Sequence, residues 1–261
     1  MVNYATVSQK ETSFHRNKPH LIITCEHAGN RVPDMYKHLF ENHDDVLNTH
    51  RGFDIGALNL TMFVTREIQV PVFVYPFTRL LVEINRSEGH RKLFSEFTNK
   101  LTDKEKSEII NNFYLPYRIN VERQIANAAE MTAHQSFVLH VSIHSFTPIL
   151  NNCERTADIG ILYDPASSRE SIVAEIWKDE INNYDKSWDV RRNYPYLGKA
   201  DGFTTYLRKQ FGADNYCGIE LEVNQKYAEN RDTADWIRLK KTIAKTLSSV
   251  WNKVAIPGTT L

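Results

Sequence analysis

The chain has 261 residues, 41% of them hydrophobic, and its 32 Lys and Arg balance 32 Asp and Glu. That length can bury a large core, and a net charge of zero excludes the electrostatic signature of a nucleic-acid, anionic-membrane or polycationic partner, which leaves small or neutral ligands. Three cysteines, Cys25, Cys153 and Cys217, without C-x-x-C spacing exclude a disulfide framework and a thiolate zinc site, so any metal needs His and carboxylate ligands.

In chain order, residues 1–17 are polar and read as an arm, with no apolar core that could act as a secretion signal. No apolar run reaches the roughly 20 residues that span a bilayer, so a cytoplasmic location is expected. With no repeat and no Pro/Gly/Ser linker, residues 18–261 read as a single domain. Strand-length runs rich in β-branched or aromatic residues occupy 21–25, 70–75, 80–84, 137–143, 159–163 and 218–223. Helical patterns lie between them. Residues 54–68 open with Asp54 as a possible cap, and 103–134 form a long amphipathic pattern that Pro116 kinks or breaks. The capping-box pattern Ser167-Ser-Arg-Glu170 starts a helix through residue 181, a helix over 201–211 ends at Gly212, and 233–254 closes the chain. Strands alternate with helices, and the runs at 21, 70 and 137 are almost continuously apolar, as in strands covered on both faces; the spacing predicts a three-layer α/β/α domain.

Ligands of such sheets collect beyond the carboxyl ends of the strands. His27 and His144 follow two of the apolar runs and emerge at that edge, each trailed by small or turn-forming residues. A single strand-end histidine is readily satisfied by a backbone carbonyl; two at equivalent strand ends point to a shared site. His140, Ser142 and His144 share a strand face, with His140 deeper as a supporting or core residue. Glu220 and Glu222 also share a face, and carboxylates aimed into a core need a cation, donors or a wet edge to compensate them. Arg79, Glu83, Asn85 and Arg86 interrupt another apolar run; Arg79 and Glu83 could form a surface ion pair, whereas an arginine fork suits a carboxylate ligand. Cys25 as nucleophile with His27 as base is a further possibility, opposed by the apolar run around the thiol.

Taken together, CEHAGNRVP (25–33), HRGFDIGA (50–57), RLLVEINRS (79–87), FYLPYR (113–118), HVSIHSFTP (140–148) and GIELEVNQ (218–225) resemble, in kind and order, the N-formylglutamate amidohydrolase family. The resemblance runs from about residue 18 to the C-terminus. It implies a zinc hydrolase with a mixed, mainly parallel sheet of the phosphorylase/hydrolase-like kind found in zinc exopeptidases and aspartoacylase. It implies further that the chain cleaves the amide of an N-acylated amino acid such as N-formylglutamate, a small molecule carrying a carboxylate. By the same analogy His27 and His144 are metal ligands, Glu222 is the catalytic base and acid, Arg79 helps to stabilise the oxyanion, and Asn85 and Arg86 bind the substrate carboxylate. The carboxypeptidase pattern has Glu three residues after its first metal His, where this chain has Asn30. Asp54, in the second motif, is therefore the expected carboxylate ligand and Glu26 the reserve. The stretch 193–208 matches the formylglutamate enzymes only loosely, so a zinc exopeptidase, another N-acyl-amino-acid amidohydrolase and a non-catalytic sensor of an acylated amino acid or peptide remain alternatives.

Overall fold

The computed structural model describes residues 19–132, 136–228 and 233–254. The expected arm over 1–17 and the last residues of the helical pattern ending at 134 lie outside these. In chain order the described residues form β1 (His20–Cys25), α1 (Asp44–Leu47), α2 (Ala57–Ile68), β2 (Val72–Val74), α3 (Asp103–Ile109), α4 (Leu115–Thr132) and β3 (Val138–Phe146). They continue with β4 (Ile149–Leu150), β5 (Cys153–Glu154), β6 (Ile159–Leu162), α5 (Ser168–Tyr184), β7 (Val190–Arg192), α6 (Phe203–Asn215), β8 (Tyr216–Asn224) and α7 (Ala234–Lys253).

Six strands make one sheet in the order β2-β1-β3-β8-β6-β7. The pairs from β2 through β8 are parallel; β6 runs antiparallel to β8, and β7 runs parallel to β6. The two-residue period of a strand divides its side chains between two cores. Leu21, Ile23, Leu139, Val141, Ile143, Ile219 and Leu221 face a layer that includes Leu60 and Val64 of α2, Trp177 of α5, and Trp236, Leu239 and Ile243 of α7. On the other face, Ile22, Val138 and Tyr216 meet Ile109 of α3, Tyr117, Val121 and Ile125 of α4, and Phe203 and Leu207 of α6. Apolar side chains at three- and four-residue spacing on these helices supply both outer layers. The α/β/α expectation holds, with a mostly parallel sheet.

The starts of α5 and α7 follow the sequence signals, whereas α6 continues to Asn215 past a non-helical break at Gly212. Thr233 accepts from Trp236 N and Ser167 from Glu170 N. The Glu170 carboxylate does not reach back to complete a box; it takes Gly218 N and Arg208 instead, so the pattern caps the helix and also ties it to β8. The break expected near Pro116 is a five-residue π turn, Ile110–Tyr114, ahead of α4. A proline lacking N–H at the second position of α4 leaves the ladder unfilled there, and the wider turn absorbs the gap. The 80–84 run is not a strand: Leu81 N donates to Thr78 O (3.1 Å) and Glu83 N to Leu93 O (2.8 Å), so its backbone is satisfied by turns. Leu80, Leu81, Val82 and Ile84 are nevertheless buried in the second core, which is why the segment is apolar.

Candidate active site

Register sets the site. In the parallel β1, β3 and β8, Thr24 pairs with Ser142, Ser142 with Glu220 and His144 with Glu222. One sheet face therefore grades from Ile22, Val138 and Tyr216 at its amino end into a polar stripe of His140, Ser142, His144, Glu220 and Glu222 at its carboxyl end. His140 sits deepest, between Thr24 Oγ1 (2.8 Å from Nε2) and Tyr216 OH (2.5 Å from Nδ1). Burial lowers its pKa to about 4, so it is neutral and supports the stripe.

His27 leaves β1 in a turn and meets His144 with ring centroids 4.9 Å apart. Asp54 lies between them: its Oδ2 is 3.3 Å from His27 Nδ1 and 2.9 Å from His144 Nδ1. The three residues are buried, and each offers one ligand atom within 4.8 Å of the others, a group that could hold a metal ion. Asp54 is not the helix cap. The N-cap of α2 is Gly56, at φ 85°, where a Cβ would come within 2.3 Å of Ala228 Cβ. That tight corner and the backbone bond from Asp54 N to His27 O (3.0 Å) turn the Asp54 carboxylate toward the imidazoles. Burial by itself would raise its pKa, but the His27 charge and the His144 hydrogen bond hold it well below the usual carboxylate range.

Arg79 donates to Asp54 Oδ1 (3.1 Å, from Nη1) and to Glu83 Oε2 (2.7 Å, from Nε). The Arg79–Glu83 pair thus lies half-buried beside the site and is not a freely exposed surface pair. Glu83 turns its other oxygen to His27 Nε2 at 2.5 Å. Glu26, the reserve ligand, lies on the polar stripe behind His144, accepting from Ser142 Oγ (2.5 Å) and standing 3.3 Å from His144 Nε2. Cys25 is fully buried on the opposite face, and burial pushes its thiol pKa well up, which makes it a poor nucleophile.

Glu222 is 5% exposed, and its Oε2 has no hydrogen-bond partner among the described residues. Burial raises its pKa to about 8; the His144 imidazole opposes that shift, while the Asp54 and Glu220 carboxylates reinforce it. An orphaned carboxylate oxygen beside the His144 imidazole and the Asp54 carboxylate is a costly arrangement that a bound cation or reactant would relieve. Glu220, deeper on the face, accepts from Thr204 Oγ1. Asn85 and Arg86 are joined to the site through the backbone, Asn85 N donating to Glu83 Oε1 (3.2 Å), while their side chains hold the start of α6: Asn85 Oδ1 accepts from Phe203 N (2.7 Å) and Arg86 Nη1 donates to Asp201 O.

Three features escape a reading of the sequence. Glu83 approaches His27 from a segment with strand-like composition, and Gly160 faces Glu222 across the β6–β8 pair, where a Cβ would sit 1.9 Å from Tyr194 O and 3.3 Å from Glu222 Cβ. The segment after β7 therefore crosses the sheet face beside Glu222, and it brings Tyr196 to Arg155, whose Nη1 donates to the phenol oxygen at 3.0 Å.

The chain is similar in structure to a gene product of Agrobacterium tumefaciens, with a TM-score of 0.72, 25% identity and 91% of each chain covered. It is also similar to N-formylglutamate amidohydrolase from Ralstonia eutropha, with a TM-score of 0.65, 18% identity, 90% of this chain and 94% of the other covered. Among curated proteins none matches. The N-formylglutamate amidohydrolase family model spans residues 20–228, from β1 through the end of β8 and so across every residue of the site; the chain belongs to the N-formylglutamate amidohydrolase family.

Proposed function

We propose that this amidohydrolase is zinc-dependent, holds its metal with His27, Asp54 and His144, and hydrolyses the amide of an N-acylated amino acid, N-formylglutamate being the substrate class that the family suggests. The observation that carries this reading is the convergence of His27 Nδ1, Asp54 Oδ2 and His144 Nδ1 beside the unpartnered Glu222 carboxylate. Two imidazoles and one carboxylate suit zinc and leave a position open. Bound there, zinc supplies Lewis-acid activation of water and of the scissile carbonyl at neutral pH.

The protein's own groups do the rest. Glu222 takes the proton of the attacking water on its unpartnered oxygen and returns it to the leaving nitrogen, one carboxyl serving first as base and then as acid. Arg79 locks Asp54 by Oδ1, which leaves Oδ2 for the metal, and places a positive charge next to the developing oxyanion. Asn85 and Arg86 receive the substrate's α-carboxylate on the α6 side, and burial of His27, Asp54, His144 and Glu222 limits access of bulk water.

Metal analysis and kinetics test this together. Wild-type protein should carry one zinc and lose turnover of N-formylglutamate to a chelator, with activity restored by zinc. Glu222→Gln should keep the zinc while kcat falls by a factor of roughly 100 to 10,000. Full activity in that variant, or turnover indifferent to chelation, would overturn the reading.

A further inference from the structure

The wall on the β6 side of the site carries a cation that the proposed reaction does not use. Because β6 runs antiparallel to β8, the residues just before it, Arg155 among them, stand at the carboxyl edge where the site opens. The backbone of Arg155 is pinned there: its N donates to Pro148 O (2.7 Å) and its O accepts from Asn224 Nδ2 (3.0 Å) at the end of β8. The guanidinium lies 5.1 Å from the Tyr196 ring centroid and 6.0 Å from that of Phe146, two residues beyond His144. Tyr194 closes the wall, packing edge-on to Phe146 at 6.3 Å with its carbonyl above Gly160 and next to Glu222 Cβ.

We propose that Arg155 receives a second, distal carboxylate of the substrate, so that the enzyme selects acidic N-acyl amino acids over their neutral isosteres. The proposal rests on the amidohydrolase reading and adds the residue that sets its specificity. Arg79, Arg191, Arg208 and Arg238 are each held by a carboxylate. Among the described residues Arg155 makes no such pair; its one side-chain hydrogen bond goes to Tyr196. A guanidinium laid against aromatic rings and bonded through a single nitrogen keeps donors to spare for a two-pronged carboxylate bond.

The site's own charge calls for such a partner. Glu26, Asp54, Glu83 and Glu222 are all buried around the chemistry, and Arg79 is already shared by two of them. A substrate with two negative charges therefore needs a further cation. The scissile nitrogen and the α-carboxylate hang from one carbon, so both stay deep in the site; a side-chain carboxylate projects away from them, toward the rim where Tyr196 is 45% exposed.

The test pair is N-formylglutamate against N-formylglutamine, equal in shape and different in one charge. Zinc-loaded wild type should prefer the acid, and Arg155→Met should lower kcat/KM for N-formylglutamate by roughly 10- to 100-fold, mainly through KM, the loss of one charge-assisted bond. The same variant should leave N-formylglutamine within about threefold, and Arg155→Lys should recover part of the preference. An equal loss on both substrates would make Arg155 a structural clamp for Tyr196 and overturn the proposal. Absence of turnover with any N-formyl amino acid would count against the amidohydrolase assignment of substrate; calorimetric binding of the same pair then decides the role of Arg155, with equal affinity, or no binding of either, overturning it.

Discussion

His27 offers Nδ1 to Asp54 and Nε2 to Glu83, while His144 offers Nδ1 to Asp54 and Nε2 to Ser142 Oγ (2.8 Å) and Glu26. A carboxylate on the far nitrogen of an imidazole fixes the tautomer: it takes the N–H, so the lone pair on the near nitrogen is left for a metal. Glu83 and Glu26 thus occupy equivalent positions, one behind each ring, and neither needs to touch the metal. For Glu83 the expected consequence is graded. Glu83→Gln keeps the shape but weakens the pull on Nε2–H, and zinc affinity measured by chelator competition should fall by about 10- to 100-fold. Asp54→Asn, which removes a proposed ligand, should abolish stoichiometric binding. If Glu83→Gln also abolished it, Glu83 would be a ligand in its own right and the positions of the two carboxylates would have to be exchanged.

All nine residues of β3 are buried, and it carries the stripe from the apolar end of the sheet to the metal-capable end. His140 is the element's own liability. Its pKa in the fold is about 4 against a usual 6.5, so the unfolded chain binds the extra proton first as pH falls. The neutral ring's contribution to stability is fully present above pH 6.5 and is lost progressively down to pH 4, by about 3 kcal/mol at most. Urea unfolding at pH 7 and pH 4.5 should show a smaller loss for His140→Gln than for wild type; equal losses would mean that the ring is not buried neutral. This strand was legible in the sequence because His, Ser and His at period two, set into an unbroken apolar run, fit a covered strand with one face turning polar at its end. The alternating glutamates made β8 legible in the same way. The 80–84 run reads identically but has no strand to pair with; apolar composition reports burial, and here the burial is that of a loop under α3 and α4. The Arg155–Tyr196 wall was not legible, since it depends on β6 reversing direction and on Asn193 turning at φ 50° to send the chain back across the sheet.

No helix among the described residues is long and apolar enough to cross a membrane, and the site is assembled wholly from the carboxyl edge of the sheet and the loops above it. His27, Asp54, His144 and Glu222 come from widely separated parts of the chain, and the strands and helix behind them belong to both cores. A ligand that needs all of these groups in place binds the folded chain and not the unfolded one, so metal occupancy must appear as stability of the whole molecule. At free zinc about 1,000-fold above its dissociation constant the linkage is worth about 4 kcal/mol, which for a chain of this size corresponds to a rise in Tm of roughly 8 to 16 °C. Thermal unfolding should therefore fall by that amount on exhaustive chelation and recover with zinc in wild type, while Asp54→Asn should show one Tm under both conditions. Glu222→Gln should retain the full zinc shift if, as proposed, Glu222 transfers protons and does not hold the metal. A wild-type Tm indifferent to zinc would mean that the imidazoles, Asp54 and Arg79 satisfy one another as a closed ion-pair network, with no cation among them.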